Sequence, residues 1–315
     1  MKYRKLGNTG LDVSVISFGA SSLGSVFHPT DDEEGIRTVH AALDNGINYI
    51  DVSPYYGMLK AETVLGRALQ EIRRDRFILS TKAGRYGADD FDFSYQRIFR
   101  SVEESMQRLH TDYIDILFLH DIEFGDRRQV LEEGIPALAE LKRQGKIRYT
   151  GISGLPLSLF RDVLQERPVD AILSYCHYSL NDDSLLELLP LVGELGTGLV
   201  NASPLSMGLL SGSTLPDWHP ASPRIRQACR EAFEYCEARG LSLPQLAIQF
   251  AVQHEGIPTT LVSTSKPGKI RMNIAYAEQE PDLAAIEQVR RILEPVQRLS
   301  WPSGRPEYNE GVRVE

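Results

Sequence analysis

Along the chain, short and nearly continuous apolar runs alternate with longer stretches in which apolar positions recur at a helical period. The short runs fall at residues 15–20, 48–52, 77–81, 113–119, 148–152, 170–175, 199–202 and 260–263. A run such as Ile114-Asp115-Ile116-Leu117-Phe118-Leu119 lacks the alternation of a half-exposed strand and predicts one covered on both faces. Between the runs, residues 32–44, 94–109, 127–143, 182–194 and 223–239 space their apolar side chains as amphipathic helices do. The helix ends carry matching chemistry. Ser94 or Asp92, Asp182 and Ser222 stand where an N-cap is wanted, the last followed by Pro223, which suits a first helical position. Gly46, Gly145, Gly196 and Gly240 follow helical runs, where a left-handed residue closes the helix.

Eight strand–helix units in series predict an α/β fold, either an open doubly wound sheet or a closed (β/α)8 TIM barrel. A doubly wound nucleotide fold should carry G-x-G-x-x-G after its first strand. Gly19-Ala20-Ser21-Ser22-Leu23-Gly24 has the wrong spacing, so the barrel is preferred, as a single domain over residues 1–315. Residues 1–14, around Gly7-Asn8-Thr9-Gly10, read as a β-hairpin ahead of the barrel. Residues 281–315 read as an extra C-terminal helix, at 282–293, and a loop-rich tail from Ser300.

Charge narrows the partners. The 34 basic and 43 acidic residues leave a formal charge of −9, which argues against nucleic acid and anionic membranes, since both need a basic face. No stretch approaches about 18 uninterrupted apolar residues, and Met1 to Gly10 contain no apolar signal region. Cys176, Cys229 and Cys236 form neither a paired framework nor a metal-ligand cluster. A cytoplasmic protein without a metal is expected, as a monomer or weak homodimer.

In a closed barrel, polar residues at the C-terminal strand ends converge on one mouth. Asp51 ends the second run with Tyr56 close behind, Lys82 follows the third, and His120 follows the fourth. A tyrosine hydroxyl titrates near ~10, a poor match to proton transfer at neutral pH, and a neighbouring ammonium should lower it. Asp51 can pair with Lys82 and keep it charged. His120 can hold the reacting oxygen. Together they predict proton exchange at a carbonyl or alcohol oxygen while hydride moves at the carbon. Lys82 alone would also suit a Schiff-base amine, a reading that leaves Tyr56 and His120 less well explained.

At these residues the sequence resembles the aldo-keto reductase family. The segments that carry the resemblance include Leu6-Gly7-Asn8-Thr9-Gly10-Leu11, Asp51-Val52-Ser53-Pro54-Tyr55-Tyr56-Gly57, Lys82 and residues 109–120. It continues in Gly145-Lys146-Ile147-Arg148-Tyr149-Thr150-Gly151-Ile152-Ser153 and Ala202-Ser203-Pro204-Leu205, in order over nearly the whole chain. Within the family, residues 18–27, 120–125, 172–178, 218–223 and 299–304 are most similar to the L-galactose dehydrogenases of plants and their bacterial relatives. The resemblance implies oxidation of the C1 hydroxyl of L-galactose, or of L-fucose or D-arabinose, to the lactone, with NAD as cofactor and NADP as the alternative.

The family pattern implies Tyr56 as general acid/base, Asp51 and Lys82 as its tuning pair, and His120 as the group that orients the substrate oxygen. It places the cofactor on Ser153, Tyr175, Ser203, Pro204, Leu205, Met207 and Gly208, and its adenosine half on Ser263, Ser265, Lys269 and Asn273. Ser263 and Thr264 stand where NADP-preferring members commonly carry a basic residue, which favours NAD. The mouth loops offer Ala20, Ser21, Tyr86, Phe93 (or Phe91), Asp121 and Glu123 to a sugar. Three positions depart from the pattern: Gly154 where many members have asparagine, Ala202 where an aromatic often stands, and no glutamine in the sixth strand, whose neighbourhood holds Ser174 or Tyr175, of which Tyr175 is preferred. A general NADPH-dependent aldehyde or ketone reductase and a nicotinamide-binding regulatory subunit are the competing functions.

Overall fold

In the computed structural model the chain opens with the expected hairpin: β1 (Tyr3–Lys5) and β2 (Asp12–Ser14) pair antiparallel, with Tyr3 opposite Ser14. The structure describes residues 1–26 and 28–314; Phe27, at the end of segment 18–27, and Glu315 lie outside the described residues. The apolar runs follow as β3 (Ile16–Gly19), β4 (Tyr49–Asp51), β5 (Ile78–Ala83), β6 (Ile114–Leu119), β7 (Ile147–Gly154), β8 (Ala171–Tyr175), β9 (Gly198–Ala202) and β10 (Thr259–Ser263). Each lies parallel to the next, and β10 closes the barrel on β3 with Val262 opposite Phe18. Every residue of β6 is buried, as befits a strand with barrel interior on one side and helices on the other.

Around the barrel run α1 (Asp32–Asp44), α2 (Lys60–Leu69), α3 (Tyr95–Leu109), α4 (Arg127–Gln129), α5 (Ile135–Arg143), α6 (Leu157–Glu166), α7 (Leu189–Leu195), α8 (Pro223–Glu237), α9 (Leu243–Gln253), α10 (Pro267–Glu278) and α11 (Leu283–Leu293). A π-helical turn, Val130–Gly134, joins α4 to α5. Ser94 and Ser222 cap α3 and α8, accepting from the N–H groups of Arg97 and Ile225. Gly196 closes α7 at φ 69°, where an added Cβ would strike the side chain of Asn8.

The run 182–194 is corrected. Asp182 caps no helix; it accepts from the Ser184 N–H and hydroxyl and lies 3.1 Å from His177 Nδ1. A 3-10 turn, Ser184–Leu188, precedes the helix proper. Helix α9 escaped the amphipathic pattern because residues 246–252 are all buried and leave no polar stripe.

The two ends of the barrel differ. At the N-terminal end the hairpin acts as a plug: Leu6, Leu11 and Val13 pack onto Tyr49, Ile116, Phe118, Leu173, Val200 and Leu261. Beside it the Asp115 carboxylate accepts from Arg74, Arg148 and the Leu79 N–H. At the C-terminal end the loops gather, joined by the tail. Trp301 is buried against His219, Arg305 N–H donates to the Glu123 carbonyl, and Tyr308 donates to the Gly125 carbonyl. Among the described residues no helix is long and apolar enough to cross a membrane.

Candidate active site

Asp51 is the last residue of β4, Lys82 the last but one of β5, and His120 follows β6 directly. The Lys82 ammonium donates to Asp51 Oδ2 at 2.5 Å, to the Val52 carbonyl at 2.9 Å and to the Tyr56 hydroxyl at 3.2 Å. Three acceptors match its three N–H bonds. Ser80 donates to the other Asp51 oxygen at 2.7 Å. Lys82, Asp51 and His120 are buried, while Tyr56 is partly buried.

Burial sets the protonation states. It opposes the Lys82 charge, but Asp51 and Tyr56 outweigh it and hold the ammonium above the ordinary lysine range. Burial also raises the Tyr56 phenol; Lys82 pulls it down and Asp51 pushes it up. The expected lowering is therefore corrected: the ammonium offsets burial without taking the phenol below its solution value. His120 is driven well below the usual histidine range by burial, then by Lys82 and Arg85, and is neutral.

The mouth wall beside this group contains a residue that sequence reasoning missed. Arg85 Nη1 meets Asp121 Oδ2 at 2.5 Å. Its guanidinium lies 3.9 Å from the Tyr55 ring centroid, and 5.2 and 5.0 Å from those of Phe91 and Phe124. Those two phenylalanines stack at 4.7 Å. Nothing local marks Arg85, because its partner is 36 residues away.

The other residues expected at the sugar already have protein neighbours. The Tyr86 hydroxyl accepts from the Gly84 N–H at 3.0 Å, and its ring carries the Arg97 guanidinium of α3 at 3.7 Å. Phe93 is wholly buried, so close to Gly84 and Gly125 that an added Cβ at either would come within 2.3 and 2.5 Å of its ring. Phe91 lines the wall beside Arg85. Ala20 is buried too.

Glu123, expected as a sugar carboxylate, is wholly buried: Oε1 accepts from the Leu155 N–H at 3.1 Å and the Ser303 hydroxyl at 2.9 Å. Oε2 has no partner among the described residues. It occupies space that the missing Gly154 side chain leaves open, 2.4 Å from where a Cβ would stand. Burial, then the neighbouring Asp121, pushes the Glu123 acid up to about 8.

The candidate cofactor residues lie on the other half of the ring of strand ends. Ser153, near the end of β7, donates to the Leu119 carbonyl at 3.3 Å and accepts from the Asp121 N–H at 3.4 Å. Tyr175 ends β8. After β9, Ser203, Pro204 and Leu205 lead into a turn with left-handed backbone at Ser203, Ser206, Met207 and Gly208. Ser263 ends β10 and ties down the loop after β3: Ser21 donates to its Oγ at 2.9 Å and the Ser22 N–H at 3.0 Å. Ser265 precedes α10, and Lys269 and Asn273 stand one turn apart on it.

No side chain caps the N-terminus of α10, which leaves backbone N–H groups for an anion. Residues 203–208 and 263–273 contain no carboxylate. Lys266 of these segments is paired with Glu34 at 2.5 Å; the remaining hydroxyl, amide and lysine donors fit a dinucleotide pyrophosphate.

Residues 15–294 match the aldo/keto reductase family. The chain belongs to that family. The L-galactose dehydrogenase of Arabidopsis thaliana is 45% identical, over 96% of this chain and 98% of its own. The D-arabinose 1-dehydrogenase of Saccharomyces cerevisiae is 35% identical, over 76% and 75%. Among solved structures, an aldo-keto reductase from Bacillus halodurans in its holo form superposes with a TM-score of 0.79 at 29% identity, covering 98% of this chain and 99% of that one. As an aldo/keto reductase the protein is an oxidoreductase that works with a nicotinamide cofactor.

Proposed function

We propose that this aldo/keto reductase is an aldose 1-dehydrogenase that oxidises the C1 hydroxyl of L-galactose, or of L-fucose or D-arabinose, to the lactone with NAD+. The observation that carries the reading is the Asp51–Lys82–Tyr56 chain of contacts beside a neutral His120. The names of three relatives, an L-galactose dehydrogenase, a D-arabinose 1-dehydrogenase and a D-threo-aldose 1-dehydrogenase, support the substrate class. Tyr56 takes the proton of the C1 hydroxyl, and Lys82, kept charged by Asp51, stabilises the phenolate that receives it. His120 orients the reacting oxygen. A bound nicotinamide supplies the acceptor for the hydride that leaves C1.

Ser21, Arg85 and Asp121 are the polar groups offered to the sugar hydroxyls, and Ser153 and Tyr175 those offered to the nicotinamide. NAD is favoured because Ser263 stands at the end of β10 and Lys266 is drawn to Glu34 at 2.5 Å. All these groups come from one barrel, so the reading needs no partner subunit. The three unpaired, buried cysteines favour a reducing cytoplasm.

Steady-state rates with NAD+ and NADP+ against L-galactose, L-fucose and D-arabinose test the proposal. The expected result is turnover of at least one sugar with a higher kcat/KM for NAD+. No turnover of any of the three, with reduction of simple aldehydes by NADPH, would replace this reading with a general carbonyl reductase.

A further inference from the structure

A neutral imidazole can face a substrate oxygen as a donor through only one of its two nitrogens. In His120, Nδ1 lies 2.9 Å from the hydroxyl of Ser53, 67 residues earlier and without exposed surface. The same Ser53 oxygen accepts the Tyr55 N–H at 3.1 Å. These are the two hydrogen bonds of Ser53 Oγ among the described residues. If Nδ1 carried the hydrogen, Ser53 would accept twice and its buried hydroxyl proton would have no acceptor, an unfavourable state. If Ser53 donates to Nδ1, the Ser53 hydroxyl and Nδ1 are both satisfied and the ring hydrogen sits on Nε2, the nitrogen that faces the mouth.

The other side of the ring fits that arrangement. Nε2 stands 3.6 Å from Asp121 Oδ2, too far for a hydrogen bond, while Arg85 holds that same oxygen at 2.5 Å. The Tyr56 ring meets the imidazole edge-on, with centroids 5.6 Å apart. The Nε2–H is thus left for an oxygen brought in beside the Tyr56 hydroxyl.

We propose that Ser53 is a positioning residue: by donating to Nδ1 it fixes His120 as the Nε2–H tautomer, the form that donates to the reacting oxygen, while the Arg85–Asp121 pair keeps that N–H unengaged. The proposal rests on the reading of His120 as the group that meets the reacting oxygen. Burial and the Lys82 and Arg85 charges keep the ring neutral, so the tautomer decides which nitrogen donates.

The test uses the full chain with 15N-labelled histidine and no sugar present, the His120 signals being assigned by their loss in His120→Asn. Long-range proton–nitrogen spectra should show Nδ1 bare and Nε2 protonated. Ser53→Ala should lose this single pattern and average between tautomers. Its kcat should fall roughly tenfold or more on whichever substrate the protein turns over, with cofactor affinity unchanged. A proton on Nδ1 in the unaltered protein overturns the proposal. So does a Ser53→Ala protein with unchanged kcat, or one whose kcat falls while the tautomer stays as it was. Failure of the aldose reading alone would show as no sugar turnover while the spectra still decide the tautomer.

Discussion

Tyr56 holds its proton more tightly than a phenol in water, because burial outweighs the pull of the Lys82 ammonium 3.2 Å away. Proton acceptance during oxidation needs the phenolate, and proton donation during reduction needs the phenol. Oxidation should therefore quicken as pH rises from about 6 to about 10, while reduction should stay nearly level, because the phenol remains protonated through that range. His120 is neutral well below its usual range, so neither profile should bend near pH ~6.5. Measuring kcat/KM against pH in both directions checks this; a flat oxidative profile would remove Tyr56 as the titrating group. Tyr56→Phe keeps the ring and deletes the proton. Its turnover should drop ~10²-fold or more with little change in cofactor affinity by titration, and near-normal turnover would refute its role.

The tail and the loop after β6 behave as one element, joined at Glu123. Ser303 bonds its side chain, Arg305 its carbonyl, and Gly304 packs so closely that a Cβ would meet that carbonyl at 2.2 Å. The Glu123 acid titrates at about 8 in the fold against 4.5 ordinarily. Between those values the folded state holds a proton that the unfolded chain has released, so stability falls as pH rises through that window. The contribution is complete below the lower value and gone above the upper. Glu123→Gln retains an acceptor for the Leu155 N–H and has no proton to lose. Its stability in urea should decline less from about pH 5 to about pH 9 than that of the unaltered chain. Identical slopes for the two proteins would show that Glu123 does not titrate in this window.

Across the whole barrel, stability and chemistry sit at opposite ends. The hairpin plug and the Asp115 cluster close the N-terminal end, while Asp51, Tyr56, Lys82 and His120 stand at the other. Leu6 is wholly buried in the plug, so Leu6→Ala should lower unfolding stability by about 2–5 kcal/mol. The folded variant should keep kcat and KM, because Asp51, Tyr56, Lys82 and His120 are not among the described residues that pack with Leu6 in the plug. Parallel urea titration and kinetics would measure both, and a lost kcat in the folded variant would mean the two ends are coupled.

Each barrel strand announced itself as an apolar run, because a strand covered on both faces is apolar nearly throughout. Capping by Ser94 and Ser222 was equally readable, since a cap is made within a few residues. Asp51, Lys82 and His120 followed from the strands that carry them, with Tyr56 in the loop behind one. The buried α9 showed no polar stripe and was missed, and Asp182 was misread because its partners lie in a turn. Arg85 with Asp121, Ser53 with His120 and Glu123 with Ser303 join residues 36, 67 and 180 apart. No local pattern records which loops will meet. Glu123 and Asp121 are both acidic side chains of one loop, yet contact with Arg85 gives one a cationic partner and deep burial keeps the other protonated. That difference comes from loss of water and from the neighbours that replace it, and those exist only once the barrel has closed.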